Sequence, residues 1–115
     1  MAEEYKAVAK ELPVSAQKTR LVVDMVRGKD VVDALNILKF VPNKAAKPVF
    51  KVVRSAMINA EENFGVSRGG LYVHKIFADE GRTLKRGRFG GRGRYKPRLK
   101  RYSHVTVVLR EREEN

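Results

Sequence analysis

Ten of the twenty residues from Arg82 to Arg101 are lysine or arginine, and none is acidic. The cations Arg82, Lys85, Arg86, Arg88, Arg92, Arg94, Lys96, Arg98, Lys100 and Arg101 are interleaved with four glycines and with the rings of Phe89 and Tyr95. Guanidinium forks hold phosphate oxygens in pairs, and aromatic faces stack on bases. The chemistry of this pattern is therefore recognition of a polyanion, with nucleic acid the first candidate. The charge is local. The chain has 25 basic and 13 acidic residues, a net of +12, and outside this stretch 15 basic residues face 13 acidic ones, a net of +2. With Leu84, Phe89, Tyr95 and Leu99 as its only sizeable apolar groups, the stretch cannot offset the entropy of ordering against its own repulsion. A bound polyanion would supply what is missing.

Catalytic chemistry finds little to work with. Asp79 and Glu80 are adjacent carboxylates, and neighbours on a strand point to opposite faces, so they do not flank one substrate atom as an acid–base pair must. Their expected role is to pair with nearby Arg82 or to neutralise the junction where the body ends and the basic run begins. His74 reads as a structural histidine, while His104 is either a phosphate or base contact or a cross-strand packing residue. With no cysteine and two histidines, no metal set is legible. Gly87, Gly90, Gly91 and Gly93 do not form a nucleotide-binding loop, because Pro97 and a second strand follow where a helix is required. They suit a hairpin tip instead. Arg20, Arg27 and Lys29 are either a second contact patch or a solvated helix surface.

These residues need a frame. Alternation from Tyr5 to Leu12 predicts a short strand ending at Pro13. Ser15 is placed to cap a helix running to Arg27, with Lys18, Leu21, Val22, Met25 and Val26 along one side and Gly28 at its end. Gln17, Arg20, Asp24 and Arg27 then form a solvent-facing stripe on the other side. Asp30 begins a second helix, apolar at Ala34, Leu35, Ile37, Leu38 and Val41, that stops at Pro42. A third begins near Asn43 and carries Val49, Val52, Val53, Ala56, Met57, Ala60 and Phe64 at helical spacing as far as Gly65, with Pro48 either kinking its first turns or marking where its regular part starts. Leu71 to Ala78 and Tyr102 to Leu109 read as strands, most simply two arms of one hairpin whose basic part projects roughly 30 Å at about 3.3 Å per residue. The tail beyond Arg110 is expected to fray.

The length suits one domain, 1–115, with the arm at about 82–101. The start lacks the pattern of a signal peptide, and Val105 to Leu109 is far too short to span a membrane, so a soluble protein is expected.

Several blocks carry a resemblance. Ser15-Ala16-Gln17-Lys18-Thr19-Arg20-Leu21-Val22-Val23-Asp24-Met25-Val26-Arg27-Gly28-Lys29, then Ser55-Ala56-Met57-Ile58-Asn59-Ala60-Glu61, Asp79-Glu80-Gly81 with Leu84-Lys85-Arg86, Arg92-Gly93-Arg94, and Lys100-Arg101-Tyr102-Ser103-His104-Val105-Thr106 follow one another through nearly the whole chain. In that order they closely resemble the large-subunit ribosomal protein L-twenty-two family of bacterial type. The resemblance implies an α+β fold, three helices packed on a three-stranded antiparallel sheet with a long basic β-hairpin extending from it. It implies a structural, non-enzymatic constituent of the large subunit, with no cofactor, metal, membrane or small-molecule substrate, in a cytoplasmic or organellar ribosome. Ribosomal RNA would be held by the ten arm cations and by Lys18, Arg20 and Arg27. The tip, Phe89, Gly90, Gly91 and Arg92, would line the nascent-peptide exit tunnel beside a hairpin of the large-subunit protein L-four. One departure stands out. Before Arg92-Gly93-Arg94 the bacterial pattern usually has Pro-Arg-Ala, and this chain has Phe89-Gly90-Gly91, exchanging a rigid proline and a cation for an aromatic ring and backbone freedom. The readings to set against this one are a free-standing nucleic-acid chaperone and a small nucleic-acid enzyme.

Overall fold

Two of the three strands run far beyond the lengths that their apolar residues alone would set. The structure, a computed structural model, describes residues 3–89 and 95–112. Its elements are β1 (Tyr5–Leu12), α1 (Ala16–Asp24), α2 (Val31–Lys39), α3 (Ala46–Phe64), β2 (Leu71–Phe89) and β3 (Tyr95–Glu111), with one 3-10 turn at Arg68–Gly70. The sheet is antiparallel in the order β1-β3-β2, so β3 is central and pairs with both neighbours. Near the helices β2 and β3 carry apolar residues toward the core. Beyond Ala78 and before Tyr102 they continue as a two-stranded ladder through the basic stretch, to Phe89 opposite Tyr95. The molecule is accordingly elongated, 68 × 25 × 21 Å.

The helices cover one face of the sheet. α1 lies on β2, α3 lies across β1 and β3, and α2 packs against α3. The core joins Val22, Val23 and Val26 of α1 and its exit turn, Val31, Ala34 and Leu38 of α2, the Val49 to Ala60 stripe of α3, and Leu71, Val73, Ile76, Val105, Val107 and Leu109 of the sheet. The α3 stripe is the one its periodicity predicts as far as Ala60, while Phe64, expected to continue it, is exposed. Pro48 falls at the third helical residue, where no intrahelical acceptor exists for the missing N–H, so it starts the helix without breaking it.

α1 departs from expectation in phase. Its buried residues are Ala16, Thr19, Val22 and Val23, while Leu21 and Met25 are 64% and 49% exposed and Lys18 is exposed. The face is rotated because Thr19 buries its hydroxyl with partners on both sides, donating to the Ser15 carbonyl at 2.9 Å and meeting Ser103 Oγ at 3.1 Å. The regular helix also ends earlier than Arg27, at Asp24. Residues 25–28 form turns instead, and Gly28, at φ +81°, supplies a left-handed backbone from which its N–H reaches the Val73 carbonyl.

That exit turn closes the outer edge of β2. Gly28 N–H donates to Val73 O and Val73 N–H to Lys29 O, both at 2.9 Å. Arg27 Nη2 donates to Ile76 O at 2.8 Å and Arg20 Nε to Ala78 O at 3.2 Å. The predicted stripe is exposed, but its two arginines reach across to the strand, where their guanidinium groups occupy carbonyls that an edge would otherwise offer to another chain. Of the tail expected to fray, Glu111 ends β3 and Arg112 is tied down, while residues 113–115 lie outside the described residues. Arg112 pairs with Asp30, donates to Gly28 O at 3.1 Å, sits over the Tyr72 ring, and through its backbone N–H bonds Gly70 O at 2.8 Å.

Candidate nucleic-acid interface

The basic hairpin leaves the body at a pair of irregularities that meet on one histidine. The β2–β3 register shifts between Glu80 and Thr83, and the β1–β3 register shifts between Ala9 and Leu12, where Glu11 takes a positive φ of 56°. Glu11 N–H donates to His104 Nδ1 at 3.0 Å, which leaves the imidazole proton on Nε2. On the other side, a Cβ at Gly81 would lie 3.0 Å from Tyr102 O and 3.1 Å from His104 Nε2, so only glycine lets β2 approach β3 this closely. Bulges of this kind bend and twist a strand pair. His104 is here a cross-strand packing residue that fixes the root of the arm.

Arg82 also turns toward this root. Its nearest carboxylate is that of Glu11, at 3.5 Å, so the expected pairing with Asp79 or Glu80 is corrected. The reason is the bulge, which resets the register just before Arg82. Arg82 and Lys100 both lie over the Tyr102 ring, at 5.2 and 5.6 Å. That ring is therefore already engaged by cations.

Past the root, the ladder places Lys85 opposite Leu99, Arg86 opposite Arg98, Gly87 opposite Pro97 and Arg88 opposite Lys96. Like charges at opposing ladder positions oppose pairing. An arm built this way is suited to stand among phosphates, whose charge removes the repulsion. Gly90, Gly91, Arg92 and Arg94 lie outside the described residues, as does the tip reading that depends on them.

At the base of the arm the exposed cations Lys100 and Arg101 share a cleft of about 730 Å³ with Lys18 and with Lys44, which precedes α3. Ser15 begins α1 there, its hydroxyl accepting the Lys18 N–H at 3.5 Å. The structure therefore brings Lys18 beside the base of the arm, a neighbour that its place on the helix did not predict. Arg20 and Arg27, by contrast, are engaged with β2 carbonyls. Lys44 was not singled out from the sequence. The available signal was its spacing of three residues to Lys47, which in turn lies four residues before Lys51.

A family model described as ribosomal protein L22p/L17e matches residues 7–110. The chain belongs to the ribosomal protein L22p/L17e family. Residues 1–6 and 111–115 fall outside the match, so the helices, nearly all of the sheet and the basic hairpin lie within it. An L22p/L17e protein is a structural constituent of the large ribosomal subunit and binds ribosomal RNA. Membership thus names ribosomal RNA as the polyanion this chain binds.

Proposed function

We propose that this L22p/L17e protein threads its hairpin into folded large-subunit ribosomal RNA, supports assembly of the subunit, and lines the nascent-peptide exit tunnel with its tip, beside the protein L-four. Its role is structural and it performs no catalysis. The ribosome in question is cytoplasmic, and 1–115 acts as one RNA-binding domain. The observation that carries this reading is the ladder itself, which runs from Thr83 opposite Arg101 to Phe89 opposite Tyr95 with Arg86 facing Arg98 and Arg88 facing Lys96. An arm of this composition contributes nothing to the core, and its charge is offset only within a dense array of phosphates.

Within the arm the work divides by position. Lys85, Arg86, Arg98, Lys100 and Arg101 hold RNA, and the tip, Phe89, Gly90, Gly91 and Arg92, shapes the tunnel wall past which the nascent peptide moves. A purified-subunit assay that scores incorporation and translational pausing separately tests this division. Replacing Phe89, Gly90 and Gly91 by alanine should preserve incorporation and change pausing. Replacing the five arm cations by glutamine should impair incorporation. A tip variant that fails to incorporate, or an arm variant that incorporates normally, contradicts the division.

A further inference from the structure

The cleft at the base of the arm does not end at Lys44. Lys44 also lines a second groove, about 560 Å³, that runs between β1 and the first turns of α3. Its floor is apolar, from Val8, Leu12, Pro48 and Val52, and its rim carries Lys44, Lys47 and Lys51, all exposed. Lys47 and Lys51 are four residues apart on one face of α3, with Lys44 three residues before them, so the three ammonium groups form a row. Among the described residues, no carboxylate lines either groove. Glu11, next to Leu12, turns its carboxylate to Arg82, and Asp24 and Asp30 on the β2 side and Glu61 near the end of α3 are likewise each paired with an arginine.

We propose that the groove between β1 and α3 is a second RNA seat, in which a single strand leaving the base of the hairpin continues along Lys44, Lys47 and Lys51. The proposal rests on the RNA-binding reading above and adds a site to it. Charge complementarity selects the occupant, since the two grooves share Lys44 and together present a one-sign path of six cations, Arg101, Lys100, Lys18, Lys44, Lys47 and Lys51. The apolar floor selects a single strand over a duplex. Unpaired nucleotides turn sugars and base faces toward such a surface while their phosphates follow the lysine row, whereas a duplex offers phosphates and grooves alone.

The test uses the full chain and a thirty-nucleotide oligouridylate, with binding measured across a salt series. Lys44→Gln, Lys47→Gln and Lys51→Gln combined should flatten the log–log slope by about 2, at about 0.7 per single-strand phosphate contact. A control combining Lys6→Gln, Lys39→Gln and Lys75→Gln, also exposed, should leave the slope unchanged. Circular dichroism melts of both variants show that the fold persists. Equal slopes for wild type and the groove variant, with Lys100→Gln and Arg101→Gln still weakening binding, overturn the second seat and leave arm binding intact. Displacement of the oligonucleotide by poly-glutamate from wild type but not from the groove variant, without a slope change, gives the groove to an acidic protein segment and likewise overturns the proposal. Absence of oligouridylate binding by wild type overturns both readings.

Discussion

Thr19 Oγ1 and Ser103 Oγ lie 3.1 Å apart with both residues fully buried, joining α1 to the central strand at the root of the hairpin. Ser103 occupies the row in which β3 stands opposite Leu12 of β1 and Glu80 of β2. Thr19 donates its proton to the Ser15 carbonyl, so Ser103 must donate to Thr19. Thr19→Val leaves the buried Ser103 hydroxyl without its acceptor, while the Ser15 carbonyl keeps the Thr19 backbone N–H at 3.0 Å, and should destabilise the fold by about 1–3 kcal/mol, whereas Ser103→Ala preserves the bond from Thr19 to Ser15 and should cost about 1 kcal/mol or less. Urea denaturation of the two variants measures the asymmetry. Equal losses would show that the hydroxyl pair is not organised in this direction.

Gly81→Ala places a methyl group against the Tyr102 carbonyl and the His104 ring, contacts of 3.0 and 3.1 Å that strand backbone cannot readily yield. We expect about 1–3 kcal/mol of destabilisation, the range for forced overpacking, read as a lowered Tm. The His104 imidazole resonances should shift as well, because the same displacement loosens the Glu11 N–H bond to Nδ1. An unchanged melt would mean that the strands separate at this point without cost.

The legible parts of the fold were those where one physical signal acted alone. α3 declares itself through an unbroken apolar stripe, and Ser15 and Gly28 mark the ends of α1 and its exit turn through local backbone chemistry. The buried phase of α1 was not legible, because Thr19 looks polar until Ser103, 84 residues away, supplies its partner. The projecting hairpin was legible from its basic, glycine-rich connection, whereas the point at which each strand ends was not. Hydrophobic patterning stops at Ala78 and resumes at Tyr102, but a backbone ladder needs no apolar side chains to continue through Phe89 and Tyr95. Of the candidate site, the arm was read directly from its charge. The engagement of Arg20 and Arg27 with β2 carbonyls depends on which strand became the edge, and helix periodicity carries no such information.

Arg20→Ala with Arg27→Ala uncovers the Ala78 and Ile76 carbonyls on the outer edge of β2. The pair should cost about 1–3 kcal/mol, at roughly 0.5–1.5 kcal/mol per hydrogen bond, and raise the tendency to associate through the freed edge. Sedimentation velocity alongside denaturation reads both effects. A variant that is as stable and as monomeric as wild type would show that these arginines do not guard the edge.

Tyr5 gives the body a weakness at high pH. Burial, and then the nearby carboxylate of Glu111, push its phenol above the ordinary value of about 10, because both disfavour the tyrosinate. The folded state therefore holds this proton more tightly than the unfolded chain. The resulting stability is full below about pH 10 and is lost as pH rises through the folded value. Tyr5→Phe removes the titrating group while keeping the ring against Phe64, 5.0 Å away. Its stability should consequently fall less steeply above pH 10 than that of wild type. Parallel curves would assign the alkaline loss to other groups.

The account depends most on the arm being what holds this protein in the large subunit. Co-sedimentation with large ribosomal subunits in high salt, comparing wild type with a chain in which Lys85, Arg86, Arg98, Lys100 and Arg101 are glutamine, measures this directly. We predict that wild type remains with the subunits after assembly, because its arm is enclosed by RNA, while the substituted chain is recovered in the supernatant with its body still folded by circular dichroism. Retention of the substituted chain at wild-type levels would contradict the account and place the anchoring contacts on the body instead.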